Sequence, residues 1–164
     1  MAIFTYTTGV TGGFYVTPFS VSSTGDLASL ANGSTTTLAG GTAYTQASWS
    51  GAIWGQVVVK FAATNWTPGA GAFLQGWWLS SYDGGTNYET LSVTSSSTVP
   101  SLPRQPDFLI PLDSTANMTG QVKWSSVIRL PPAQSKIVVQ NLAGVTIGTG
   151  THTVFLAPFA IEAV

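Results

Sequence analysis

The chain has 164 residues, enough for one domain that buries roughly 70% of the surface its unfolded form exposes. Charged residues make up 7% of it, against about 25% in an ordinary soluble domain, and five bases and six acids leave a net charge of −1. That balance excludes the field of Lys and Arg that nucleic acid requires, and the lack of cysteine excludes disulfides and thiolate metal sites.

A net charge so close to zero removes the repulsion that keeps copies apart, so docking on a partner or self-association is expected. With 44% hydrophobic residues the chain has the means to fold. The start MAIFTYTTGVTGG lacks the basic and apolar regions of a secretory signal. The charge-free run 27–59 is broken throughout by Ser, Thr, Gly and Gln, so no membrane helix and no membrane partner is expected. Three Lys, two Arg and two Glu leave few helix formers, while Thr, Val and aromatic residues favour strands. The reading is all-β.

Residues 1–20 form a segment of their own, either an extended N-terminal arm or a first strand, ahead of a single domain over 21–164. As an arm, the segment sets Phe4, Tyr6, Phe14 and Tyr15 against a neighbouring subunit by strand addition. A strand follows over 15–22. In DLASLANG, Asp26 can cap a short helical turn that Asn32-Gly33 ends. A further strand is predicted over 43–50. Trp49, Trp54 and Trp66 have loop-like neighbours, SWSGAIWG and TNWTPG, and read either as plugs over a sandwich end or as interface anchors.

Alternation then becomes clear in VVVKFAA, where Val57, Val59 and Phe61 share one face and Val58, Lys60 and Ala62 the other. The next strand, 72–82, contains QGWWLSSY. Neighbouring residues of a strand point to opposite faces, so Trp77 and Trp78 cannot form one platform for a sugar ring. Both faces are apolar, which predicts one tryptophan in the core and the other covered by a loop, the arm or a partner protein. The Asp83-Gly84-Gly85 turn is expected to join this strand to another over 88–94 as a hairpin. The polar, Pro-rich stretch 92–106 is long enough to cross between sheets. Strands follow at 107–111 and 120–124, then KIVVQN with Ile137 and Val139 on one side. Last comes TVFLAPFAIE, with Phe155, Phe159 and Ile161 on one face and Pro158 pushing the strand towards a sheet edge. About nine short strands suit two packed antiparallel sheets, a jelly-roll-like β-sandwich, with a closed β-barrel as the alternative.

Chemistry is sparse. Asp107 and Asp113 share a face but lie about 20 Å apart if extended, too far to act as a pair. Asp83 and Glu89 can approach across the DGGTN turn, yet Asp and Gly are ordinary turn residues. DGGTNYE offers oxygen ligands at Asp83, Thr86, Asn87 and Glu89 without the acid spacing of a calcium loop. His152 is the sole histidine, so zinc is disfavoured, and no serine can be assigned to it. The expectation is a protein that is not an enzyme, with no catalytic residue, cofactor or metal. Its candidate interface residues are Phe4, Tyr6, Phe14, Tyr15, Trp49, Trp54, Trp77 and Trp78.

Four stretches carry a resemblance when taken in order. They are GDLASLANGSTTTLAGG (25–41), VVVKFAATNWTPGAGAFLQGWWLSSYDGGTNYE (57–89), PRQPDFLIPLD (103–113) and VIRLPPAQSKIVVQNLAG (127–144). Together they cover roughly half of the chain, and in this order they resemble small tailed-bacteriophage virion proteins that decorate or cement the capsid shell. The resemblance implies a non-catalytic β-sandwich without cofactor, made in the bacterial host cytoplasm and clipped in several copies to the capsid surface of the virion. The implied partner is the major capsid protein of a phage head, and a homo-oligomer (dimer or trimer) is expected. The alternative function is a carbohydrate-binding or host-adhesion β-sandwich module of a virion tail.

Overall fold

The computed structural model describes residues 4–7, 19–20, 26–38, 43–45, 52–62, 65–89, 105–131 and 134–163. Among these residues ten strands run in chain order: β1 (Phe4–Thr7), β2 (Phe19–Ser20), β3 (Thr35–Thr37), β4 (Trp54–Lys60), β5 (Phe73–Ser81), β6 (Phe108–Pro111), β7 (Val122–Trp124), β8 (Ile128–Arg129), β9 (Gln134–Leu142) and β10 (Thr153–Ala163). They make two antiparallel sheets. The first has the order β1-β10-β4-β7, with β2 also on β10 and β8 also on β4, and the second has the order β3-β9-β5-β6.

β1 and β2 occupy one side of β10 in turn, and β7 and β8 one side of β4, so each couple acts as one interrupted strand. Counted that way, the first strand position pairs with the last, β3 with β9, β4 with β7 and β8, and β5 with β6. This is one long hairpin rolled up on itself, a jelly roll. Among the described residues both sheets keep open edges, so the fold is a sandwich and not a closed barrel.

Alternation explains the core. Val57, Val59 and Phe61 point inward with Val154 and Leu156 of β10, and meet Leu74, Trp78, Ile110, Ile137 and Val139 of the second sheet. Each aliphatic side chain so buried contributes about 1.5–3 kcal/mol. Trp66 is buried outside the strands with its ring edge-on to Phe61 at 5.1 Å, a plug over one end of the sandwich.

Several expectations need correction. Residues 26–29 form a turn, not a helical turn: Leu30 N–H bonds Leu27 O at 3.3 Å, and Ser29 takes φ 57°, which no right-handed helix accommodates. The ladder partners of β5 are β6 and β9, and Tyr88 and Glu89 lie outside any strand. Of the expected hairpin, the described part keeps one bond, from Glu89 N–H to Ser80 O at 3.0 Å, and 90–94 lie outside the described residues. Trp54 sits in β4 and not in a loop. The strand expected over 43–50 contributes an isolated bridge between Tyr44 and Ser135, with 46–50 outside the described residues.

β10 is central, not an edge, despite Pro158. The bonds from Phe61 N–H to Gln121 O and from Ser125 N–H to Val57 O turn the odd residues of β4 towards β7, leaving its even residues to face β10. Gly55 opposite Pro158 is therefore a non-bonded pair, and the proline nitrogen faces the β1/β2 side. There β2 pairs with 155–156 and β1 with 160–163, so the ring falls in the gap between them.

Candidate functional site

The DGG turn is built around one carboxylate. Asp83 Oδ1 accepts from Ser81 Oγ at 2.7 Å, Asn87 N at 2.9 Å and Thr86 N at 3.1 Å, while Oδ2 accepts from Asn87 Nδ2 at 2.7 Å. Gly84 and Gly85 supply the left-handed backbone of the turn, with φ 75° and 92°. The Asn87 backbone N–H, then the Ser81 hydroxyl and the Asn87 side-chain amide, hold the Asp83 carboxyl down to about 2 from an ordinary 3.8. In the unfolded chain the group titrates at the ordinary value, so the stability it gives the turn is complete above that pH and is lost as pH falls through about 2. A carboxyl-carbon NMR titration is expected to place Asp83 near 2, and a midpoint near 4 would mean that the four donors do not bind it.

Glu89, Asp107, Asp113 and His152 also serve the fold. Glu89 Oε2 accepts from Ser80 N, Asp107 Oδ2 from Trp78 N at 2.7 Å, and Asp113 Oδ1 from Thr115 N and Oγ1. His152 is fully buried. Its Nδ1 accepts from Ala62 N–H at 3.0 Å, so the ring proton sits on Nε2 and is donated to Gly148 O at 2.7 Å. Both ring nitrogens are used, which ties the end of β4 to the turn before β10. Among the described residues no three His, Asp or Glu side chains gather where they could hold a metal ion.

The two tryptophans of QGWW point to opposite faces. Trp78 is 4% exposed and belongs to the core, its ring 6.3 Å from that of Phe108. Trp77 is 1% exposed on the other face, beside Val138 of β9. Both are thus covered within a single chain, and neither presents its ring to a partner. Of the other candidate interface residues, Phe4 and Tyr6 lie on β1, and Phe14, Tyr15 and Trp49 lie outside the described residues.

Trp54 belongs to a surface that the sequence reading did not assemble. The outer face of β4 carries Trp54, Gln56, Val58 and Lys60, half-buried or exposed. Register sets Trp124 of β7 and Phe155 of β10 on either side of Val58, one apolar row across three strands. Trp124 is 58% exposed and Val122, beside Lys60, is 43% exposed. Exposed Lys60 stands at one end of this face and exposed Arg129, opposite Trp54, at the other. The one available signal was that Val122 and Trp124 share a face in GQVKWSS.

A lateral groove of about 770 Å³ opens beside Trp124, between the free edges of the two sheets. Phe73, Leu109, Pro111 and Trp124 line it with Gln56 and Ser125, and among the described residues no charged side chain does. A sugar needs directed polar groups, and here several are already used. Gln56 Nε2 donates to Ser125 O, while Ser125 Oγ accepts from Val57 N and donates to Ser126 O. The groove suits apolar contact better than a glycan.

Against known proteins, no family model, curated protein or solved structure matches this chain.

Two of the stretches that carry the sequence resemblance meet in space. Gly33 N–H bonds Asn141 O at 2.7 Å, Asn141 Nδ2 donates to Leu30 O at 2.8 Å, and Gly144 N–H bonds Asn32 Oδ1 at 2.9 Å. SLANG and NLAG are two sides of one hydrogen-bonded corner. Their role is architectural.

Proposed function

We propose that this chain is a non-catalytic virion structural protein that decorates and stabilises a tailed-phage capsid shell, docking on the major capsid protein. The observation that carries this reading is the apolar row Trp124–Val58–Phe155 on the outer face of the first sheet, exposed at Trp124 and half-buried at Val58 and Phe155, with Lys60 and Arg129 at the two ends of that face. An apolar centre with a charged rim is the anatomy of a protein interface, and aromatic residues at such a centre dominate binding. The cationic rim fits a shell surface that bears carboxylates at the matching positions. A jelly-roll sandwich supplies a rigid support, and Asp83, Glu89, Asp107, Asp113 and His152 each hold a structural hydrogen bond.

Stabilisation follows from linkage. A protein that binds only the assembled shell shifts the equilibrium towards assembly, by about 2.7 kcal/mol per site at a hundredfold excess over Kd. Purified protein is expected to co-sediment with cognate heads and raise the temperature at which they lose DNA. Phe155→Lys, at the β10 end of the row and away from the sheet edge, should weaken head binding at least about tenfold. Protein that stays in the supernatant with mature heads would sink the proposal. The tail-adhesion reading predicts instead that a soluble glycan quenches tryptophan fluorescence, with Trp124 as the reporter.

A further inference from the structure

We propose that two copies of the chain associate about a two-fold axis through the free edge of β7, joining their first sheets into one continuous sheet. The bonds from Phe61 N–H to Gln121 O and from Ser125 N–H to Val57 O turn residues 121, 123 and 125 towards β4. Strand geometry then aims the N–H and C=O of Val122 and Trp124 away from β4, at an edge that no described strand occupies. A row of outward donors and acceptors calls for another strand.

The second sheet's nearby edge differs. Leu112 N–H bonds Ala72 O, which sets 108, 110 and 112 towards β5 and leaves Leu109 and Pro111 facing out. Pro111 has no N–H, so that edge is blunted by the usual device. β7 carries no such block.

The occupant follows from symmetry and charge. Antiparallel pairing of an edge with its own copy is two-fold symmetric and closes after two subunits. Centred on Lys123, it sets Val122 against Trp124 of the second copy, so four backbone bonds form and each exposed indole gains an apolar neighbour. Beside β7 lies a cleft of about 360 Å³ that holds one acid, Asp113, and one base, Lys123. At the two-fold axis the two Lys123 side chains stand opposite each other, each beside the Asp113 of its own cleft, so the four charges sum to zero and the two acids offset the lysine pair. Lys123 already helps hold the Asp113 carboxyl below its ordinary range, after the two bonds from Thr115, so the acid is ionised where the second lysine arrives. The pairing also doubles the outer apolar face without covering Val58 or Phe155.

Light scattering on the purified protein, in the absence of heads, tests this directly. The expected species is a dimer, with the amides of Val122 and Trp124 protected from hydrogen exchange in a concentration-dependent way. Val122→Pro removes one outward N–H per copy and leaves the β4 ladder whole, so it should raise the dimer Kd about tenfold. Lys123→Glu, which gathers four like charges at the axis, should do at least as much, with circular dichroism confirming that both variants fold. A monomer, a trimer or larger ring, or a dimer indifferent to both substitutions would overturn the inference. Head binding is read separately: monomeric protein that still co-sediments removes the dimer alone, and a dimer that does not co-sediment removes the capsid reading alone.

Discussion

Replacing Asn141 with alanine is expected to destabilise the protein more than any other loss of a polar group described above. Asn141 is fully buried at the end of β9, and its side chain serves three backbone groups. Nδ2 donates to Leu30 O and to Val145 O, at 2.8 and 2.9 Å, and Oδ1 accepts from Ala143 N–H at 2.8 Å. Alanine removes all three partners at once. An orphaned buried backbone group costs roughly 1–3 kcal/mol, so the loss should reach about 3–5 kcal/mol, a large part of a typical domain's stability. The denaturant midpoint measures it, provided that the m-value is unchanged. Asn141→Asp separates the bonds from the space. It keeps the acceptor for Ala143 N–H but sets a carboxylate against the oxygens of Leu30 and Val145, and burial beside them raises its folded pKa. The variant should therefore regain stability as pH falls through that raised value towards about 4, because protonation restores one donor. An alanine variant within about 1 kcal/mol of the parent would show that water replaces the side chain at this corner.

That corner explains why parts of the resemblance were legible while their purpose was not. SLANG and NLAG stand more than a hundred positions apart, and nothing in either says that Asn141 reaches Leu30 O (|i−j| of 111). The alternating run VVVKFAA was plain and buries the side chains that its period assigns, because seven residues show which face is apolar. In KIVVQN, Ile137 and Val139 are buried as assigned, but so are Val138 and Gln140 of the other face. The opposition of Trp77 and Trp78 followed from strand geometry alone. Trp124 did not, because three residues, Val122 to Trp124, show a shared face without showing which face meets the core. Pro158 misled for a related reason. A proline excludes a partner on the side its nitrogen faces, and one sequence does not tell which side that is or that two short strands leave a gap there. The pairing of β5 with β6 was hidden by the connector, since β6 begins only at Phe108, far along the chain from the Asp83-Gly84-Gly85 turn that follows β5.

Gly76→Ala is expected to cost about 3 kcal/mol, although an alanine is ordinarily no worse than glycine in a strand. Gly76 lies in β5 with Val139 on one side and Phe108 on the other, on the core face that Trp78 shares. A Cβ at position 76 would fall inside the ring of Phe108, whose carbons lie across the glycine. Phe108 is 2% exposed and leans on Trp78, so the ring has nowhere to retreat without opening the core between β5 and β6. The glycine of QGWW thus provides the floor on which an aromatic ring rests, the arrangement by which cross-strand aromatics cover bare backbone. A double-mutant cycle tests this against a general dislike of alanine. Phe108→Leu alone should destabilise, yet Gly76→Ala added to it should cost far less than in the parent, giving a coupling of about 1–2 kcal/mol. Near-ultraviolet circular dichroism should change with Gly76→Ala through Trp78, while Trp77 on the opposite face keeps its surroundings. Additive losses would mean that the ring does not lie over Gly76. The adjacent tryptophans would then owe their placement to the strand's period alone, without the gap that lets Trp78 and Phe108 close the core.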